Sequence, residues 1–155
     1  MGIFNFLHKK PKDFFTDAEE QEIVAAIKQA EIRTSGEVRV YIESKCNYVN
    51  ALDRASEVFL SLEMFNTKER NATLIYVALK DHQAAILGDT GIAAKVGADF
   101  WNDEIAAMLG HFKNNNIKDG MVAIINDIGD VLHTHFPYDN VNDVNELPDD
   151  IVFGK

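Results

Sequence analysis

The sequence has 155 residues, 46% of them hydrophobic and 10% aromatic, and a formal charge of −10 from 15 basic and 25 acidic residues. This length and composition are typical of one folded domain and exclude a disordered chain. The acidic balance disfavours nucleic acid and anionic lipid as partners, because like charges repel. Metal ions and basic surfaces remain as possible partners.

The sequence favours a cytoplasmic location. Cys46 is the only cysteine, so no intrachain disulfide can form, and a reducing compartment is indicated. Residues 1–13 lack the apolar centre and the cleavage site of a secretion signal, and we expect them to form only a lead segment. No stretch reaches the 18 apolar residues of a membrane span.

The first half of the chain begins with a helix signal. Thr16 and Glu19 form a capping box, and apolar residues then recur at helical spacing, which predicts a helix over about 17–33. Residues 37–43 alternate apolar and polar side chains, which predicts a strand. Asn50 can cap a second helix.

A second and a third strand follow. Residues 74–79 form an almost unbroken apolar run, which is typical of a strand covered on both faces. Residues 80–83 separate this run from the short apolar run 84–87, and a connection of this length favours a hairpin. We therefore predict that the first two strands are parallel, with a helix between them, and that the third returns antiparallel.

After Gly91 the pattern is helical. One helix ends at the asparagines that begin with Asn114, and Asp119 can cap the next, which Pro137 ends. We predict one α/β domain over residues 14–137.

Residues 138–155 show no sustained period and predict an acidic irregular tail. This tail could dock through Ile151, Val152 and Phe153. Only residues 44–49 are a loose candidate for a fourth strand.

The motif "GDTG" at residues 88–91 places one acid directly after the third strand. Parallel strands begin at the same edge of a sheet, and an antiparallel neighbour ends there. Glu37, Asn71 and Asp89 should therefore converge. Their oxygens would suit a hard cation such as Ca²⁺ or Mg²⁺, and Arg70 could pair with an acid or bind an anionic ligand. The alternative is that Asp89 only caps a helix.

The sequence also resembles a known family, that of the TPM domain, over nearly everything from Phe14 to Pro137. The stretches that carry the resemblance are "SGEVRVYI" (35–42), "TKERNATLIYVALKD" (67–81), "AAILGDTGI" (84–92) and "FKNNNIKDGMVAIINDIGDVL" (112–132). The resemblance implies a three-layer α/β/α sandwich with a small mixed sheet of three or four strands, and binding of Ca²⁺ or Mg²⁺. For plant thylakoid members it implies an acid phosphatase activity. Bacterial members often occur alongside LemA-type proteins, which makes such a protein a possible partner.

Asp119 has two interpretations. Its position before Gly120 is explained by helix capping, but the motif also matches the family pattern, which makes a second role near the metal an alternative. A cysteine phosphatase loop is absent, because seven residues rather than five separate Cys46 from Arg54. A phosphatase would therefore need metal-activated water with Glu37 or Asp89 as ligand or base.

Three functions remain open from the sequence. The leading hypothesis is a cytoplasmic module that binds Ca²⁺ or Mg²⁺ at the sheet edge and acts as an accessory or interaction protein. Its candidate ligands are Glu37, Asn71, Asp89 and Asp119. The alternatives are a metal-dependent phosphatase whose catalytic residues are not identified, and a metal-free protein-binding scaffold.

Overall fold

A computed structural model of the chain describes residues 10–138 and 146–154. Most of the predicted lead segment, residues 1–9, and part of the predicted tail lie outside the described residues. Within them the helices are α1 (Asp17–Glu31), α2 (Ala51–Ser61), α3 (Thr90–Ala93), α4 (Ala98–Lys113) and α5 (Ile117–His135). The strands are β1 (Glu37–Glu43), β2 (Ala72–Ala78), β3 (Gln83–Gly88) and β4 (Ile151–Phe153).

The four strands form one mixed sheet in the order β3-β2-β1-β4. β1 is parallel to both β2 and β4, whereas β3 is antiparallel to β2. The predicted parallel pair with a helix between its strands and the predicted hairpin are therefore confirmed.

Helices cover both faces of this sheet. α1, α4 and α5 pack on one face through side chains such as Ile27, Met108 and Ile125, and the sheet contributes Val40 and its neighbours there. α2 packs on the other face, where Phe59 contacts a cluster that contains Leu74 and Tyr76. Every residue of β2 is buried, as expected for an inner strand of a sheet that helices cover on both faces. The three-layer α/β/α fold is thus confirmed.

The fourth strand is not where the sequence placed it. Residues 44–49 contain no strand, and β4 comes instead from the predicted irregular tail. Ile151 pairs with Val40 on the free edge of β1, and Gly154 N donates to Ile42 O at 2.8 Å. A strand of three residues is too short for a periodic signal, and it forms because the partner edge supplies its hydrogen bonds and an apolar surface.

The predicted caps of α1 and α2 are confirmed. The Thr16 hydroxyl accepts from Glu19 N at 3.1 Å, and Asn50 Oδ1 accepts from Leu52 N at 2.8 Å. α5 differs, because Asn116 is its N-cap residue and Asp119 lies in its first turn. The prediction that Asp119 caps this helix is therefore wrong.

No helix in the described part of the chain combines the length and the apolar character that crossing a membrane requires.

Candidate metal centre

Chain direction brings three of the predicted site residues to one rim of the sheet. Glu37 begins β1 beside the start of β2, and Glu37 N donates to Asn71 O at 3.4 Å. Asp89 follows the end of β3, and its N–H donates to Ala72 O at 2.9 Å. Because β2 lies between β1 and β3, the backbones of Glu37 and Asp89 are about two strand spacings, or about 10 Å, apart. The rim is shared, but these two acids are not neighbours.

The carboxylate of Asp89 is occupied by local contacts. It accepts two hydrogen bonds from the Arg70 guanidinium, Nε to Oδ2 at 2.6 Å and Nη2 to Oδ1 at 2.8 Å. It also accepts from Thr90 N at 2.7 Å and is the N-cap residue of α3. The helix-cap interpretation of Asp89 is confirmed, and its role as a metal ligand stays a prediction.

The glycine after this acid explains the rest of the motif. Gly91 N donates to Arg70 O at 2.7 Å, and a Cβ on Gly91 would overlap the carbonyl oxygen of Glu69. Arg70 itself has a left-handed φ of 52°, which is uncommon for a residue with a side chain. Both residues therefore fasten the loop before β2. Asp89 holds the side chain of Arg70, and Gly91 holds its backbone carbonyl.

Glu37 belongs to a different acidic cluster. Glu31, Glu37 and Asp149 each offer a carboxylate oxygen, and these three oxygens lie within 4.8 Å of one another. Glu31 is the last residue of α1, Glu37 is the first of β1, and Asp149 lies two residues before β4. The tight connection from α1 to β1 and the docking of β4 on β1 bring the three side chains together.

Two backbone amides orient this cluster. Val38 N donates to Glu31 Oε2 at 2.7 Å, and Glu146 N donates to Glu37 Oε1 at 2.6 Å. The second oxygens, Glu31 Oε1 and Glu37 Oε2, are buried, and no donor in the described residues reaches them. Glu37 is only 2% exposed. Since a buried charged oxygen without a partner is costly, a ligand that supplies positive charge fits here.

Burial also shifts the acidity of the cluster. It is the largest cause that raises the pKa of Glu31, and the carboxyl groups of Asp149 and Glu37 raise it further. Burial likewise raises the pKa of Glu37, although the hydrogen bond from Glu146 N acts in the opposite direction. Three adjacent acids cannot all ionise unless a cation compensates them. The cluster therefore has two ways to reduce its charge, by binding protons or by binding a metal ion.

Asn71 and Asp119 have different relations to this cluster. Asn71 is buried on the same rim, and no donor in the described residues reaches its Oδ1 atom. Asp119 is exposed at the start of α5, where Lys118 Nζ lies 2.6 Å from Oδ1 and lowers the pKa of Asp119. The part of α5 near the rim is Leu132, beside Gly36, thirteen residues and about 20 Å along the helix from Asp119. The structure thus places Asp119 apart from the acidic cluster.

Sequence reasoning missed Glu31 and Asp149. Glu31 did carry a signal, since an acid in the last turn of a helix is opposed by the helix dipole and often has another partner. Asp149 had a weaker one, an acid just before the apolar triplet 151–153.

The residues considered for a cysteine phosphatase are engaged elsewhere. The Arg54 guanidinium donates to Glu43 at 2.8 and 3.0 Å, and Cys46 Sγ lies 3.6 Å from Tyr48 O. They do not form an anion-binding loop.

Comparisons with known proteins agree with the fold. The family model of the TPM domain matches residues 9–131. The chain is similar to the BA42 protein of the psychrophilic bacterium Bizionia argentinensis, with 43% identity, a TM-score of 0.82, and coverage of 91% of this chain and 96% of that one. No curated protein matches the sequence significantly.

More distant likenesses show the fold alone. The N-terminal domain of a P. gingivalis protein is 16% identical with a TM-score of 0.65, covering 85% of this chain and 98% of that one. The N-terminal domain of a Corynebacterium glutamicum protein is 12% identical with a TM-score of 0.61, covering 85% and 81%. Because the family model covers most of the chain and BA42 is similar over nearly its whole length, the chain belongs to the TPM domain family.

Proposed function

We propose that this protein binds one divalent cation through Glu31, Glu37 and Asp149, and that the ion fastens the C-terminal segment to the rim of the sheet. The observation that carries the proposal is Glu37 Oε2, a buried carboxylate oxygen that has no donor outside the cluster in the described part of the chain, inside a group of three acids. All three ligands are carboxylates, which hard cations prefer.

The spacing of the cluster favours Ca²⁺ over Mg²⁺. Oxygens on opposite sides of Mg²⁺ are at most about 4.2 Å apart, whereas around Ca²⁺ they reach about 5 Å, given the usual metal–oxygen distances. The three carboxylate oxygens lie within 4.8 Å of one another. This limit lies inside the range of oxygen separations around Ca²⁺, which supports Ca²⁺ as the proposed ion. Asn71 Oδ1, on the same rim, remains a candidate for a further ligand.

We propose that the ion-bound domain acts as an accessory or interaction module. The cluster joins β1, which lies inside the sheet, to a segment that precedes β4, so a bound ion would fix the surface formed by that segment. The family resemblance supports a LemA-type protein as the partner, and the single cysteine supports a reducing, cytoplasmic compartment.

A titration followed by amide chemical shifts tests the cation site. We expect saturable shifts at Val38, Glu146 and Asp149 on addition of Ca²⁺, with weaker binding of Mg²⁺. Glu37→Gln keeps an oxygen for Glu146 N but removes the charge, and it should weaken Ca²⁺ binding at least tenfold. Asp119→Asn, an equal loss of charge on an exposed residue, should leave the affinity within twofold. Shifts centred on Asp89, or unchanged binding by Glu37→Gln, would refute the site.

An assay of p-nitrophenyl phosphate hydrolysis in Ca²⁺ or Mg²⁺ separates the module from the phosphatase. If the protein is a binding module, the wild type should show no more turnover than Glu37→Gln. Metal-dependent turnover that disappears in this variant would favour the enzyme.

A further inference from the structure

A groove follows the free edge of the sheet at β3. Among residues 10–138 and 146–154, β3 is an edge strand that pairs only with β2. Two adjoining clefts of about 470 and about 430 Å³ lie along it, and both are lined by Asn50, Ala51 and Ala84. The start of α2 forms one wall, and α4 forms the other. The groove therefore runs along the whole of β3, a length of about 20 Å for six residues.

The floor of the groove offers unpaired backbone groups. Asp89 N donates to Ala72 O, so this opposed pair is hydrogen-bonded, and pairs along an antiparallel ladder alternate. Counting back along β3, Leu87, Ala85 and Gln83 bond to β2, whereas the N–H and C=O groups of Ala84, Ile86 and Gly88 point outward. No backbone hydrogen bond outside the regular elements reaches these three residues within the described part of the chain.

Exposed apolar side chains border these backbone groups. Val49 is fully exposed, and Leu52 and Leu109 are 44% and 39% exposed, although all three line the groove. Trp101 lies against Gly88 at the other end of the strand. An edge strand with an apolar border is the arrangement to which extended peptides add as a further strand.

The two helices that border the groove carry more acids than free bases. From Ala98 to Gly110, α4 contains three acids and neither lysine nor arginine. On the α2 side Asp53 is exposed, and the only base of that helix, Arg54, is held by Glu43 and Glu57. A ligand with positive charge flanking its apolar part is therefore electrostatically complementary to these two helices.

We propose that the β3 groove binds an extended segment of a partner protein, apolar at alternate positions and flanked by lysine or arginine, as a fifth strand of the sheet. Outward backbone groups of β3 pair with the segment, and its apolar side chains contact Leu52 and Trp101. A sheet edge from a second copy would bring its own helices against α2 and α4, so a single extended segment suits the groove better. The groove lies at the opposite edge of the sheet from β4, so this inference is independent of the cation site.

Amide hydrogen exchange of the full chain tests the proposal. The probe is a ten-residue peptide, acetylated and amidated, in which alternating valine and threonine are flanked by two lysines at each end. We expect exchange at Ala84, Ile86 and Gly88 to slow at least tenfold, while exchange at Ala85 and Leu87 changes little. The same peptide with glutamate for lysine should bind at least tenfold more weakly.

Two matched variants localise the binding. Leu52→Lys replaces an apolar wall with a positive charge and should weaken peptide binding about tenfold, whereas Leu60→Lys, at an exposed site on the same helix, should bind like the wild type. Uniform protection of β3, or equal effects of the two variants, would overturn the proposal. Protection of Ala84, Ile86 and Gly88 before peptide is added would also overturn it, because the occupant would then be this chain or a second copy.

Discussion

Glu37 is the residue at which the stability of the fold and the proposed binding of a cation conflict most directly. Its side chain is 2% exposed, and one oxygen accepts a backbone hydrogen bond while the other has no donor in the described structure. Burial raises its pKa, which means that the folded protein favours the protonated form. The ionised carboxylate would bind a cation, but it destabilises the folded protein when no metal is bound.

This conflict gives a pH-dependent stability difference. A carboxyl whose pKa is raised by folding contributes stability below its ordinary pKa and loses it as the pH rises through the folded value. In calcium-free buffer Glu37→Gln should therefore be more stable than the wild type at pH 8, by at least about 1 kcal/mol. At pH 5 it should have no advantage. Urea denaturation in EDTA measures this difference.

That measurement has two controls, the loss of an exposed acid and the addition of calcium. Glu63→Gln removes an acid at an exposed position and should show no such pH trend. Saturating Ca²⁺ should reverse the order of the two proteins, since a ligand at about 100 times its Kd stabilises by about 2.7 kcal/mol. A stability difference that stays constant with pH would contradict the role of the Glu37 charge.

At the scale of the element, β4 connects the tail to the site. It contains only three residues, yet Ile151 is buried in the main core and pairs with Val40. Asp149 lies two residues earlier in the same segment. The position of Asp149, one acid of the proposed cation site, thus depends on the packing of a short edge strand.

Ile151→Ala should weaken Ca²⁺ binding severalfold although Ile151 is not a ligand, and it should destabilise the protein by about 2–4 kcal/mol. Val152→Ala, at a half-buried site on the other face of β4, should cost less than about 1 kcal/mol and leave the affinity within twofold. Calorimetric titration with Ca²⁺ and urea denaturation provide the two values. Unchanged Ca²⁺ affinity in a destabilised Ile151→Ala protein would separate β4 from the site.

Elements with strong local signals could be predicted from the sequence. The capping residues Thr16 and Asn50 and the apolar run of β2 gave correct elements, because their local chemistry agrees with the tertiary structure. β4 could not be predicted, because it is a strand only in contact with β1. The start of α5 was predicted about one turn too late, because Asn116 rather than Asp119 is the N-cap residue.

At the scale of the whole molecule, chain direction decided how much of the site could be predicted. The parallel and antiparallel pairs placed Glu37, Asn71 and Asp89 on one rim, as expected. The strand order then separated the acids, because β2 lies between Glu37 and Asp89. The actual neighbours of Glu37 come from a helix end and from the distant C-terminal segment, and their proximity depends on packing that local sequence does not encode.

The net charge of −10 produces an electrostatic field around the whole protein. It raises the local concentration of cations and of basic segments around the molecule. Both proposed ligands, a divalent cation at the β1 rim and a lysine-flanked segment at β3, have the sign that this field attracts. Charge alone does not choose between these sites, and the choice rests on the buried oxygens at one and the open backbone edge at the other.

A crystal structure of the protein with Ca²⁺, with anomalous differences measured at long wavelength, would locate the bound ion. We expect one calcium peak 2.3–2.6 Å, the usual calcium–oxygen distance, from carboxylate oxygens of Glu31, Glu37 and Asp149. A peak beside Asp89 or Asp119, or no peak in crystals grown at millimolar Ca²⁺, would contradict the proposed cation site.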